Sequence, residues 1–197
     1  MLTFGHTPTI VGKRIRLRPF VAADHDALWA MVNGDGRLTG THATFTREGV
    51  DRWYASRGEQ LDERLDERLD LAIASLDDDT CVGEVVLNEL DPDNASCAFR
   101  ICLTGPEVFG HGYGSEATRL LLDHAFETVG LHRIELEVYT FNTRAIHVYE
   151  RCGFTREGIR RDALRWDSAF HDALLMSILA PEWHARPGTP PPGEPAS

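Results

Sequence analysis

Three glycines at alternate positions in Phe109-Gly110-His111-Gly112-Tyr113-Gly114-Ser115 lead straight into an amphipathic segment, and few folds accommodate that junction. Glycine tolerates positive φ and lets another molecule approach its backbone closely. A helix start leaves its first N–H groups without partners and carries partial positive charge. Together they make a phosphate-sized anion site built from main chain. The flanks narrow the fold further. Three strand-like runs precede the loop, Asp70 to Leu76, Cys81 to Leu90 and Ser96 to Leu103, joined by the short polar turns 77–80 and 91–94. Such turns suit antiparallel hairpins. After the loop, Ser115 to Val129 carries Ala117, Leu121, Leu122, Ala125 and Phe126 at helical spacing and is closed by Gly130. Arg133 to Thr140 then alternates as a strand. Strand, glycine loop, helix and strand form a crossover unit, so its two strands are predicted to be parallel neighbours.

The loop fits neither common nucleotide fingerprint. A dinucleotide motif needs a third glycine where Ser115 stands, and hairpin strands precede the loop in place of an initial βαβ unit. A Walker loop needs Gly-Lys-Ser/Thr, which is absent. A second constellation follows in Asn142-Thr143-Arg144-Ala145-Ile146-His147-Val148-Tyr149, closed by Gly153-Phe154. Seven residues separate Asn142 from Tyr149, so they share nearly one helix face about 10 Å apart along the axis. An extended ligand beside that helix would meet an amide at one end and a phenol at the other. Equally, Asn142 reads as a plain N-cap and Tyr149 as a core aromatic.

Elsewhere, Ile15 to Phe20 reads as a strand near an edge, stopped by Pro19. Asp24 is the expected cap of a helix bearing Leu28, Trp29 and Val32 on its apolar side. A loop over 34–46 is followed by a helical region from Arg47 to about Leu69. Its repeat at 61–69 places leucines at every fourth position beside acid–arginine pairs, as on a solvated amphipathic helix. Two final strands run from about Arg156 to Trp166 and from Phe170 to Leu179. The chain of 197 residues suits one domain over 1–183, with a proline-rich tail at 184–197 expected to be disordered.

A net charge of −11 argues against nucleic acid or an anionic membrane as partner and suits a cationic one. The start of the chain lacks a secretory pattern and no apolar run reaches a membrane span, so a cytoplasmic location is expected. Cys81, Cys97, Cys102 and Cys152 lack paired spacing and read as reduced thiols. The nine histidines show no ligand spacing, so no metal is expected.

The two constellations together resemble the GNAT N-acetyltransferases, in particular the ribosomal-protein-alanine (RimJ/RimL-type) branch. The Q/R-x-x-G-x-G/A motif falls on Phe109 to Gly114, and N-x-x-A-x-x-x-Y-x-x-x-G-F is met by Asn142, Ala145, Tyr149, Gly153 and Phe154. Val82-Gly83-Glu84-Val85 resembles the branch's I/V-G strand, and the likeness runs from about Ile15 to Trp183. Phe109 departs from the Gln or Arg of the wider superfamily.

The resemblance implies an α/β domain with a mixed, mostly antiparallel sheet of about seven strands, splayed between two central parallel ones and flanked by helices. It also implies acetyl-CoA as co-substrate. Backbone N–H groups of Gly110, His111, Gly112, Tyr113, Gly114 and Ser115 would hold the pyrophosphate, and Ile101, Cys102 and Leu103 would pair with the pantetheine. Asn142 would touch that arm, while Arg144, and less directly His111 and Arg119, would meet phosphates. Tyr149 would protonate the departing thiolate. An amine acceptor must lose a proton, since its pKa is about 8 to 10. Glu84, sharing a strand face with Val86 and Asn88, is the first candidate base, with His171 and Asp172 as rivals. The acceptor is expected to be a protein N-terminus or a small molecule such as an aminoglycoside or polyamine, and a homodimer is expected by analogy. The alternative is a CoA-binding regulatory domain without catalysis.

Overall fold

The computed structural model describes residues 2–40, 42–52 and 67–186. Its strands are β1 (Ile10–Val11), β2 (Ile15–Arg18), β3 (Leu69–Ser75), β4 (Cys81–Asp91), β5 (Ser96–Leu103), β6 (Arg133–Tyr139), β7 (Thr155–Trp166) and β8 (Ala169–Leu179). They form one sheet in the order β1-β2-β3-β4-β5-β6-β8-β7. All neighbours are antiparallel except β5 and β6, which are parallel. The sheet has eight strands because the short β1 adds an edge outside the first expected strand.

The helices are α1 (His25–Val32), α2 (Gly36–Thr39), α3 (Tyr113–Asp123), α4 (Thr143–Cys152) and α5 (Ala180–His184). Alternation along the strands sorts the two faces. Leu71, Ile73, Val85, Leu87, Cys97 and Phe99 join Leu121, Leu122, Ile146 and Tyr149 in the main core, so α3 and α4 cover that face. On the other face Leu28, Met31 and Val50 gather with Phe20, Val32 and Cys102. The edge strand β7 is mostly exposed and carries Arg156, Arg160 and Arg161, charges that discourage pairing with another edge.

Several local expectations are corrected. Asp24 stands at the N-cap of α1 but makes no side-chain cap; its carboxylate takes Arg18 at 2.7 and 3.0 Å and the Val21 N–H at 2.9 Å. A buried guanidinium outcompetes one helix N–H for that carboxylate. Trp29 is turned outward, with Met31 taking its place in the core. The region from Arg47 is helical over 47–52, but Leu69 opens β3, because it is needed as a buried strand residue opposite Leu87. The repeat at 61–66, the span between, and the tail from 187 lie outside the described residues. The loop over 34–46 contains the short α2.

Helix α3 starts two residues earlier than expected, and beyond Asp123 it continues over His124–Val129 with π geometry, closing on Gly130 at φ 82°. Past β6, Gly40 lies against the Tyr139 hydroxyl and His42 stacks on Trp166 at 4.2 Å. These contacts tie the loop after α1 to the end of β6 and to the tip of the β7–β8 hairpin. No helix among the described residues is long and apolar enough to cross a membrane.

Candidate active site

The site begins where the sheet parts. β5 and β6 pair only at Ser96–Ala98 with Arg133–Glu135. Beyond that seam β5 stays with β4 and β6 with β8, so a wedge opens between them. Ile101, Cys102 and Leu103 form one wall, half-buried. Backbone polar groups along such a wall need partners, and a ligand with amides of its own meets them as an added strand.

The glycine loop closes the wide end. Gly110 and Gly112 both take φ 83°, and Gly112 starts α3 without a side-chain cap. A β-carbon at Gly112 would also strike the Arg14 guanidinium, whose Nη1 donates to the His111 carbonyl at 3.2 Å. The Glu116 carboxylate accepts the backbone N–H groups of Lys13 and Arg14, which staples the β1–β2 turn to the first turn of α3. His111 stacks on Tyr113 at 5.5 Å. Ser115 and Gly114 lie inside that turn, where Thr118 Oγ1 donates to the Gly114 carbonyl at 2.7 Å. Arg14 was not legible in the sequence as part of the loop. Its signal is the basic pair Lys13-Arg14, containing the chain's one lysine, directly before a strand.

Helix α4 forms the far side. The Asn142 side chain accepts the Ala145 N–H at 3.2 Å, so it is a cap, and its amide N–H₂ is left for other work. Arg144 lies over the Phe109 ring at 4.2 Å, joining the loop to α4. Two turns on, Tyr149 is 8 % exposed and packs edge-on against Phe99 and Phe154. Burial, with the neighbouring Cys102 and Cys152 thiols, pushes its phenol above the ordinary value, so it stays protonated. Its hydroxyl makes no hydrogen bond among the described residues. Burial, with the Glu84 carboxylate, pushes the Cys102 thiol up to about 12, and burial also raises Cys152.

Glu84 is 5 % exposed and faces Cys102 across the β4–β5 ladder, on the side of the sheet away from α3 and α4. Arg100 donates to its carboxylate at 3.3 Å. The two rivals are engaged elsewhere: His171 sets its edge against Phe141, and the Asp172 carboxylate accepts the Asp162 N–H at 2.9 Å. Arg119 is exposed on the outer side of α3, with its charge felt at Cys152. No group of His, Cys, Asp or Glu among the described residues is arranged to hold a metal ion.

The family model described as an acetyltransferase (GNAT) domain matches residues 14–155. The probable N-acetyltransferase YjcK of Bacillus subtilis is 30 % identical over 138 residues, covering 70 % of this chain and 75 % of that protein. The putative ribosomal N-acetyltransferase YdaF of Bacillus subtilis is 32 % identical over 106 residues, covering 54 % of this chain and 57 % of that protein. Among solved structures, spermidine N-acetyltransferase from Vibrio cholerae in complex with CoA and spermine superposes with a TM-score of 0.77. It is 21 % identical and covers 87 % of this chain and 99 % of that one, a likeness of fold.

Proposed function

The chain belongs to the GNAT acetyltransferase family, and from that premise we propose that it moves an acetyl group from acetyl-CoA directly to a primary amine. The observation that carries this reading is the wedge between β5 and β6, bounded by an anion loop at its mouth and a protonated, unpartnered phenol within. The residues present suit the co-substrate. Gly110 to Ser115 offer backbone N–H groups to a diphosphate, with Arg14 and Arg144 beside them. Ile101 to Leu103 offer a strand edge to the arm, and Asn142 offers its amide.

The bound thioester supplies an activated acyl carbon and a thiol leaving group. Tyr149 holds the proton that the leaving sulfur needs. A phenol raised above 10 is a poor donor to a water-exposed thiolate of about 8.5. Beside the buried Phe99 and Phe154 rings the leaving sulfur would be desolvated too, and desolvation raises a thiol as it raises a phenol, which narrows that gap. The raised thiols also favour direct transfer, because neither Cys102 nor Cys152 is present as the thiolate nucleophile that an acyl-enzyme route needs. Glu84, buried on the opposite face beside Arg100, is the base proposed to take the proton from the incoming amine.

The acceptor is a protein N-terminal α-amine or a small cationic amine. The N-x-x-A-x-x-x-Y-x-x-x-G-F pattern and the name of YdaF support the first, within the RimJ/RimL-type branch. The net charge of −11 and the spermidine enzyme's shared fold support the second. Thiol release from acetyl-CoA, measured with alanine- and serine-initiated peptides and with spermidine, tests the reading. Turnover is expected with at least one of them, and Tyr149→Phe is expected to lower it about 10²-fold with CoA affinity unchanged. Tight CoA binding without turnover on any amine would leave a cofactor-binding module in place of the enzyme.

A further inference from the structure

Arg144 is the second residue of α4, where a positive charge opposes the helix dipole, and that first turn carries no acidic residue. The chain has 31 acidic side chains against 20 lysines and arginines, yet Arg144 pairs with no carboxylate among the described residues. Its guanidinium lies instead 4.2 Å from the centroid of the Phe109 ring. Phe109 is held in turn by the 3₁₀ turn Pro106–Val108, its N–H donating to the Pro106 carbonyl at 3.1 Å, one residue before Gly110. The platform therefore belongs to the same loop as Gly110 and Gly112, which leads from the end of β5 into α3. A guanidinium stacked through its face keeps its N–H donors in a plane and free to bond sideways. On the loop's other flank Arg14 is held by the His111 carbonyl, so cationic edges border the glycines on both sides.

We propose that Phe109 is a positioning residue that seats Arg144 by cation–π stacking, so that the guanidinium edge meets the phosphates of the cofactor. This rests on the acetyl-CoA reading above. An unsupported Arg144 would have to give up its rotamer freedom on binding; a seated one has already done so. The same contact explains how an aromatic residue serves at the first position of this glycine motif: the cation comes from α4.

Calorimetric titration of the full chain with CoA at low salt tests this with Phe109→Leu, Phe109→Tyr, Arg144→Ala and the double variant Phe109→Leu/Arg144→Ala. Phe109→Leu is expected to weaken CoA binding about five- to tenfold, and Phe109→Tyr to stay within about twofold of the wild type. In the Arg144→Ala background, Phe109→Leu is expected to cost less than about twofold, because the residue acts through the arginine. Equal losses in both backgrounds, or no loss from Phe109→Leu, would overturn the seat while leaving the cofactor reading intact. Failure of the wild type to bind CoA would overturn both. If Phe109→Leu melts early, Phe109→Met keeps the volume without the ring and takes its place in the cycle.

Discussion

Burial governs what Tyr149 can do. Because its phenol is pushed above the ordinary value, the protonated form persists to a higher pH than that of a tyrosine in water. The rate of acetyl transfer is therefore expected to rise with pH as the acceptor amine loses its proton, and to show no fall from Tyr149 up to about pH 10. A pH–rate profile measured as kcat/KM for the amine checks this; a descending limb near pH 8 that Tyr149→Phe abolishes would contradict it. At this scale the sequence was legible where spacing alone determines the neighbours. Asn142 and Tyr149 lie on one helix, so seven positions suffice to align them. Arg14 was not legible, because nothing local says that a β1–β2 turn will meet a loop almost a hundred residues on; that contact is made by Glu116 gathering two backbone N–H groups. Glu84 was legible as a strand residue, but not its guanidinium partner on the adjoining strand.

The helix that carries the phenol is fastened at both ends. At its start the Asn142 oxygen accepts the Ala145 N–H. At its end Gly153 turns the chain at φ 100°, and Arg186 donates to the carbonyls of Arg151 and Cys152 while lying over Trp183. Trp183 in turn donates to Asp123 at 3.2 Å, so the segment after β8 ties α3 to α4. Arg186→Ala is expected to remove about 1–2 kcal/mol, two charge-assisted bonds at a helix C-terminus. That corresponds to a melting temperature lower by about 2–8 °C, read by calorimetry; an unchanged melting temperature would mean that water satisfies those carbonyls equally well. Six strands match their expected bounds to within a residue, because alternation is visible one element at a time; the run from Ile15 stops two residues early, at Arg18, and Ile10–Val11 is too short to alternate. The π turn after Asp123 was not, since apolar spacing reports which residues face inward and is silent on one extra residue in a turn. Leu69 reads as helical in the sequence because its leucine repeat matches a period of four, whereas burial opposite Leu87 decides for a strand.

For the molecule as a whole, the parallel seam and the wedge followed from the order of elements, while the pairing of α1 with the face that holds Glu84 and Cys102 needed the three-dimensional arrangement. A ligand that bonds both walls joins two parts of the sheet. Saturating CoA, at about a hundredfold over its dissociation constant, should therefore add about 2.7 kcal/mol of stability, a rise of about 5–10 °C for a chain of this size. Hydrogen exchange is expected to slow at 99–103 and 136–139 more than in β2 and β3; equal slowing everywhere would argue against the wedge as the contact.

That seam of three residue pairs also divides the sheet into two leaves, five strands in one and three in the other. One apolar core runs beneath both, from Leu71 and Val85 to Leu136 and Met176, so the angle between the leaves is fixed by packing as well as by the seam. The gutter is therefore held open in advance, and a ligand need not prise the strands apart to enter it.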